Sequence, residues 1–263
     1  MNVLLPIANP PPAPFSGRRR PHGAPASGPI LGIVGGGQLA RMLAQGAAQL
    51  GCASVVLERG CDIPAASVSL QTIVGDGNDP RALAQLGWQV DAVTLENEFV
   101  DADSLVALEQ SGVPLWPASS TVRVIQDKLR QREALAAANL PVPHFAAAPD
   151  KASVATLGAS LGWPLLLKKR RNGYDGRGNV TLRSAAETDA AWQRLAGDAS
   201  PLYAEEFCAF NMEIAVIICR GRDGTVVTYP VVETIQQIYM CHIVKVPAAI
   251  SGDTAGRAIE IAR

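Results

Sequence analysis

At 263 residues, 48% hydrophobic and 18% charged, the chain is long enough for two cores and too apolar to be disordered throughout. A formal net charge of −1 supplies no global field for nucleic acid or an anionic membrane, and no apolar run approaches the ~18 residues of a membrane span, so neither partner is expected. Five cysteines (Cys52, Cys61, Cys208, Cys219, Cys241) form no Cys-x-x-Cys pair and mostly sit in apolar runs, which predicts buried free thiols in a reducing, cytoplasmic compartment.

Residues 1–28 hold seven of the nineteen prolines, the run Arg18 to Arg20 and no acid. Such a segment buries too little apolar surface to offset its ordering entropy, and its prolines argue against an amphipathic transit helix. It reads as a disordered extension.

Ile30 to Val34 reads as a strand, followed by Gly35-Gly36-Gly37-Gln38-Leu39. A helix then places Leu39, Met42, Leu43, Ala47 and Leu50 on one apolar face, and Gly51 stops it. A second strand, Ser54 to Leu57, ends in Glu58. Glycines at a helix N-terminus make an anion site, and Gly35-x-Gly37 also passes a loose dinucleotide fingerprint. Thr72 to Val74 is a third strand, Asp79-Pro80 opens a helix closed by Gly87, and Asp91 to Leu95 is a fourth strand. That strand runs into Glu96-Asn97-Glu98, two acids that either face a ligand at a sheet's carboxyl end or are solvated loop residues. A helix from Asp103 to Gln110 and a strand from Val113 to Trp116 complete a five-strand, doubly wound, Rossmann-like α/β unit.

One helical stretch is predicted from Thr121 to Ala138, containing Gln126-Asp127-Lys128, and Pro141 and Pro143 mark a boundary. Beyond it the text is strand-rich with few helices. Leu165 to Leu167 is a buried strand, and Lys168-Lys169-Arg170-Arg171-Asn172-Gly173-Tyr174-Asp175-Gly176-Arg177-Gly178-Asn179 leads into a further strand, Val180 to Leu182. Three glycines in six residues and four cations just upstream suit either an anion-binding flap or a hairpin with solvated charges. Ser184 to Glu187 reads as a capping box for a helix carrying Trp192 and Leu195. Leu202 to Phe207 is a strand bearing Glu205-Glu206. Met212 to Cys219 and Thr225 to Val232 form a hairpin around Arg220-Gly221-Arg222-Asp223-Gly224. Glu213, inside its apolar first strand, either meets a partner or faces outward at an edge.

These motifs, in this order from Ile30 onward, resemble the 5-(carboxyamino)imidazole ribonucleotide synthetase family of the ATP-grasp superfamily, with Gly173-Tyr174-Asp175-Gly176-Arg177-Gly178 the most specific part. The resemblance implies ATP-dependent carboxylation of aminoimidazole ribonucleotide by bicarbonate in purine biosynthesis, with magnesium and a cytoplasmic homodimer. It implies three segments: the extension at 1–28, a pre-ATP-grasp domain at 29–120, and an α+β ATP-grasp domain at 121–263 whose small lobe covers about 143–200. It also implies roles. Lys128 and Lys168 match the lysines on the ATP phosphates and the adenine side, and Gly173 to Asn179 match the flap over the triphosphate. Glu205, Glu206, Phe207 and Cys208 match the hinge strand that reads adenine; Glu213 matches the ribose acid, and Gln236 falls in a further ATP-contacting stretch. Tyr174, Asp175 and Arg177 match the catalytic group, while Gly36, Gly37, Gln38, Leu39 and Glu96 match the substrate site.

Two departures accompany the resemblance. The stretch Gln236 to Tyr239 lacks a histidine and a following Asp-Gly common in the family. The family's metal-binding Glu and Asn-Glu pair are expected beyond Arg263, so the chain is expected to be an incomplete piece, poorly active alone. Formate-dependent glycinamide ribonucleotide transformylase, biotin carboxylase, a nicotinamide dehydrogenase built on Gly35-x-Gly37, and a non-catalytic nucleotide-binding remnant are the alternatives.

Overall fold

The computed structural model describes residues 20–24, 28–173, 178–196, 201–237 and 240–263. Of these, the residues from 20 to 126 belong to one compact unit and those from Asp127 onward to another.

In the first unit, strands β1 (Ile30–Val34), β2 (Ala53–Glu58), β3 (Gln71–Val74), β4 (Ala92–Leu95) and β5 (Leu115–Trp116) form a parallel sheet ordered β3-β2-β1-β4-β5. The predicted doubly wound architecture is present. Among the described residues this unit has four α-helices: α1 (Gln38–Gln49), α2 (Pro80–Gly87), α3 (Ala102–Gln110) and α4 (Ser119–Ile125). Asp79 caps α2 by accepting from the Arg81 N–H, with Pro80 behind it, as its sequence signal predicts. The main core joins Val55, Leu57 and Val93 of the sheet to Leu83, Leu86, Leu105 and Leu108 of α2 and α3. A smaller core on the opposite face joins Ile33 and Val56 to Ala40 and Ala44 of α1.

That smaller core corrects the expected face of α1. Its buried residues are Ala40, Ala44 and Ala47, whereas Leu39, Met42, Leu43 and Leu50 are exposed. Small side chains at i, i+4 and i+7 let the helix sit down on β-branched strand residues, and the heavier residues rotate outward.

The second unit opens with α5 (Lys128–Ala137) and an antiparallel sheet of β6 (Phe145–Ala148), β7 (Leu165–Lys169), β8 (Asn179–Leu182) and β9 (Leu202–Glu206), ordered β6-β9-β7-β8. Helices α6 (Lys151–Leu161) and α7 (Thr188–Ala196) cover one face, where Leu165, Leu167, Leu182, Leu202 and Ala204 meet Val154, Ala191 and Leu195. Alternation along the strands therefore turns Leu166, Lys168, Tyr203 and Glu205 to the other face. Further on lie β10 (Glu213–Ala215), β11 (Ile218–Arg220), β12 (Val226–Thr228), β13 (Val232–Gln237), β14 (Met240–Lys245) and α8 (Gly252–Ala262).

Several expectations change here. The single helix at 121–138 is two, because the Asp127 carboxylate takes the Leu129 and Arg130 N–H groups and starts α5 anew. Helix α6 stands where few helices were expected, opened by Asp150 accepting from the Ser153 N–H. The capping box at Ser184 does not form: its side chain makes no cap, and Glu187 accepts from the Arg183 N–H instead. The long hairpin is split, with β10 pairing β13 and only β11 and β12 flanking the Gly221 to Gly224 turn. All five cysteines are free, but four are exposed and Cys52 is half-buried, because Cys219 and Cys241 lie on exposed faces of short strands and Cys61 and Cys208 in connections.

Candidate active site

In the first unit, Gly35 at φ +106° turns the chain from β1 into α1. The Gly36 N–H donates to Glu58 Oε2 at 3.0 Å, and the Gly37 N–H to Glu96 Oε2 at 2.9 Å. A Cβ on Gly37 would lie 2.4 Å from Glu96 Oε1, so a side chain there would push the Glu96 carboxylate aside. Gln38 and the exposed Leu39 begin the helix. The Gly36 and Gly37 N–H groups, matched to the substrate site, thus already hold two carboxylates, one of which, Glu96, was itself matched to the substrate.

In the second unit, β7 and β8 are the two arms of the glycine loop. Lys168 pairs with Asn179 at their open end, and the Lys169 N–H donates to Gly178 O at 2.7 Å. Gly173 and Gly178 pinch its neck: a Cβ on Gly178 would lie 2.5 Å from Gly173 Cα. A Cβ on Gly173 would sit 3.6 Å from Lys128 Cε, so Lys128 runs alongside the neck. The Lys128 N–H donates to Arg170 O at 2.8 Å, and Arg170 clasps Asp127 through Nε at 3.0 Å and Nη2 at 2.6 Å. Burial acts to raise the Asp127 pKa, but the Arg170 and backbone hydrogen bonds outweigh it and hold the carboxyl below the usual range. Tyr174, Asp175, Gly176 and Arg177 lie outside the described residues. The buried Asn179 Oδ1 has no hydrogen-bond donor among the described residues.

Glu205 is the centre of the buried charge. Only 2% exposed, it receives Arg132 Nε at 2.6 Å and the Tyr203 hydroxyl at 2.9 Å on Oε1, and Lys168 Nζ at 2.5 Å on Oε2. Burial acts to raise its pKa, but the Arg132 hydrogen bond and the Lys168 charge prevail and depress it. Burial and then the Glu205 charge push the Tyr203 hydroxyl above the usual phenol range. Two cations around one carboxylate leave one surplus positive charge, which favours an anion beside Lys168.

Next along β9, the Glu206 N–H bonds His144 O at 2.8 Å, with Phe207 and Cys208 exposed beyond it. On the neighbouring sheet, Glu213 Oε1 accepts from Thr234 Oγ1 at 2.8 Å and Gln236 Nε2 at 2.7 Å, so two matched ATP residues meet directly. The glutamate in an apolar strand has found partners.

Comparison with known proteins matches residues 29–126 to the ribonucleotide synthetase preATP-grasp domain and residues 133–263 to the ATP-grasp domain. The N5-carboxyaminoimidazole ribonucleotide synthase of Synechococcus elongatus is 42% identical over 233 residues, covering 89% of this chain. The chain is a preATP-grasp and ATP-grasp protein homologous to N5-carboxyaminoimidazole ribonucleotide synthases. It spans 58% of the length of that relative. An N5-carboxyaminoimidazole ribonucleotide synthetase solved with ADP superposes with a TM-score of 0.84 at 31% identity, over 94% of this chain and 63% of its own. The Aspergillus clavatus N5-carboxyaminoimidazole synthase solved with ADP and 5-aminoimidazole ribonucleotide gives a TM-score of 0.81 at 34% identity, over 89% of this chain and 61% of its own.

For magnesium, which the synthase resemblance implies, no three His, Cys, Asp or Glu side chains converge among the described residues, so they do not fit a metal cage. Among the same residues no helix is long and apolar enough to cross a membrane. Sequence reading missed Arg132, Tyr203 and Glu58 as site neighbours. Asp127 was read as interior to one helix, although an aspartate before Lys128 carries a cap signal; its clasp on Arg170, 43 residues away, leaves no sequence signal.

Proposed function

We propose that the chain carries the nucleotide-binding and ribonucleotide-binding parts of an ATP-dependent ligase. The reaction joins bicarbonate to the exocyclic amine of 5-aminoimidazole ribonucleotide, giving 5-(carboxyamino)imidazole ribonucleotide, ADP and phosphate. The observation that carries this reading is the pairing of the glycine-loop neck with two lysines, Lys128 along it and Lys168 at its base, on a family-matched ATP-grasp unit.

In this reading the lysines and loop backbone receive the triphosphate, where N–H groups and ammonium charge stabilise the anion that develops in phosphoryl transfer. A bicarbonate oxygen attacks the γ-phosphorus and ADP leaves; the carboxyphosphate formed yields its carbon to the amine, and phosphate departs. Asp175 accepts the amine proton and Arg177 holds the carboxyphosphate, roles that rest on the family motif. Backbone along Glu205, Glu206, Phe207 and Cys208 reads adenine, and Glu213, oriented by Thr234 and Gln236, takes the ribose hydroxyls. Gly36 to Leu39 with Glu96 take the ribonucleotide. The domain limits 29–120 and 121–263, a magnesium-bound nucleotide, a cytoplasmic setting and a homodimer of the complete enzyme belong to the same proposal, supported by the resemblance.

The test is ADP release measured with and without aminoimidazole ribonucleotide and bicarbonate, for this chain and for a version extended to the relatives' full length. Release that needs both substrates in the extended version is expected; ribonucleotide-independent release there would refute the assignment.

A further inference from the structure

We propose that Arg132 is a positioning residue that governs how readily Lys168 leaves Glu205 for a nucleotide phosphate. The inference rests on the proposed phosphate role of Lys168. Three elements meet at this carboxylate: Arg132 comes from α5, Lys168 from β7, and Tyr203 and Glu205 from β9. The two carboxylate oxygens are used differently. Oε1 holds Arg132, a cation that never loses its charge, and the Tyr203 hydroxyl from the same strand. Oε2 holds Lys168, whose side chain is 20% exposed while that of Glu205 is 3% exposed.

A carboxylate this buried cannot be stripped of every cation without a large penalty. With Arg132 in place, Lys168 can swing to a phosphate and Glu205 stays paired. Without Arg132, Lys168 is the last counter-ion, and its departure strands a buried charge. Arg132 therefore converts Lys168 from a locked structural partner into one available to ligand. A merely structural Arg132 would alter stability and leave nucleotide affinity alone.

The experiment is calorimetric titration of ATP into the full chain and its variants, with thermal midpoints as the folding control. Arg132→Met is expected to weaken ATP binding about tenfold or more, and Arg132→Lys, which keeps the charge, to stay within about threefold. Glu205→Gln removes the charge that holds Lys168, so Arg132→Met is expected to have little further effect in that background. If Arg132→Met does not fold, Arg132→Gln takes its place with the same outcomes. Unchanged affinity in the single variant, or equal weakening in the presence and absence of the Glu205 charge, would overturn the inference while leaving the ATP reading intact. Failure of the unaltered chain to bind ATP would overturn both.

Discussion

Asp127 offers the sharpest quantitative test of how the second unit is held together. Its carboxylate caps α5 and clasps Arg170 while only 3% exposed. Losing an N-cap costs about 1 kcal/mol. Removing one partner of a buried ion pair costs about 3–5 kcal/mol, but Arg170 is 24% exposed on its side chain and keeps water, which reduces that share to about 2 kcal/mol. Asp127→Asn retains an oxygen for the cap and loses only the charge, so it should destabilise by about 2 kcal/mol; Asp127→Ala loses both and should cost about 3 kcal/mol. Adding Arg170→Met to Asp127→Asn should recover part of the loss, since the stranded guanidinium is then gone. Amide hydrogen exchange across Lys128–Ala137 reads the local opening, and urea unfolding reads the whole unit. Equal costs for the Asn and Ala variants would refute the cap; no recovery in the double variant would refute the clasp.

Acid should unfold this unit in a defined direction: Glu205 and Asp127 are both depressed in the folded state, so their stabilisation is complete above about pH 5 and is lost as pH falls through the folded values. Near-UV circular dichroism from pH 6 to pH 2 checks this, and a Glu205→Gln, Asp127→Asn variant should lose most of the dependence. Gly178→Ala should open the loop neck, because its Cβ meets Gly173 backbone at 2.5 Å, and weaken ATP binding, whereas Gly46→Ala, with nothing within 4 Å, should stabilise α1 by about 1 kcal/mol. At the C-cap of that helix Leu50→Lys should change stability by under about 0.5 kcal/mol, while within it Ala44→Leu costs about 1–3 kcal/mol by overpacking; the opposite order in urea melts would show that the heavy face is the buried one.

The parallel unit was legible because its signals are local. Strand β1 and the Asp79-Pro80 helix start are written in contiguous residues, and the order of elements forces the topology. What failed locally was rank by size: α1 buries alanines, and no hydropathy count distinguishes a leucine facing water from one facing the sheet. The split of 121–138 lay in plain view as Asp127 before a helical run, yet the apolar period on both sides masked it. The glycine loop and Lys168 could be named from sequence. Their control by Arg132 could not, because it depends on which face of β9 meets α5, a tertiary fact.

The charge cluster around Glu205 also leaves an imprint on natural variation. Arg132 and Glu205 are 73 positions apart, so no shared turn, cap or strand ties their identities together. The constraint they share here is their ion pair. Descendants that replace the carboxylate with a neutral residue strand the guanidinium, and those that replace the guanidinium first bind the lysine too firmly, so drift should pass through the two positions together rather than one at a time. Arg132 and Glu205 should then change as a pair across the family, with Lys168 held fixed through both states.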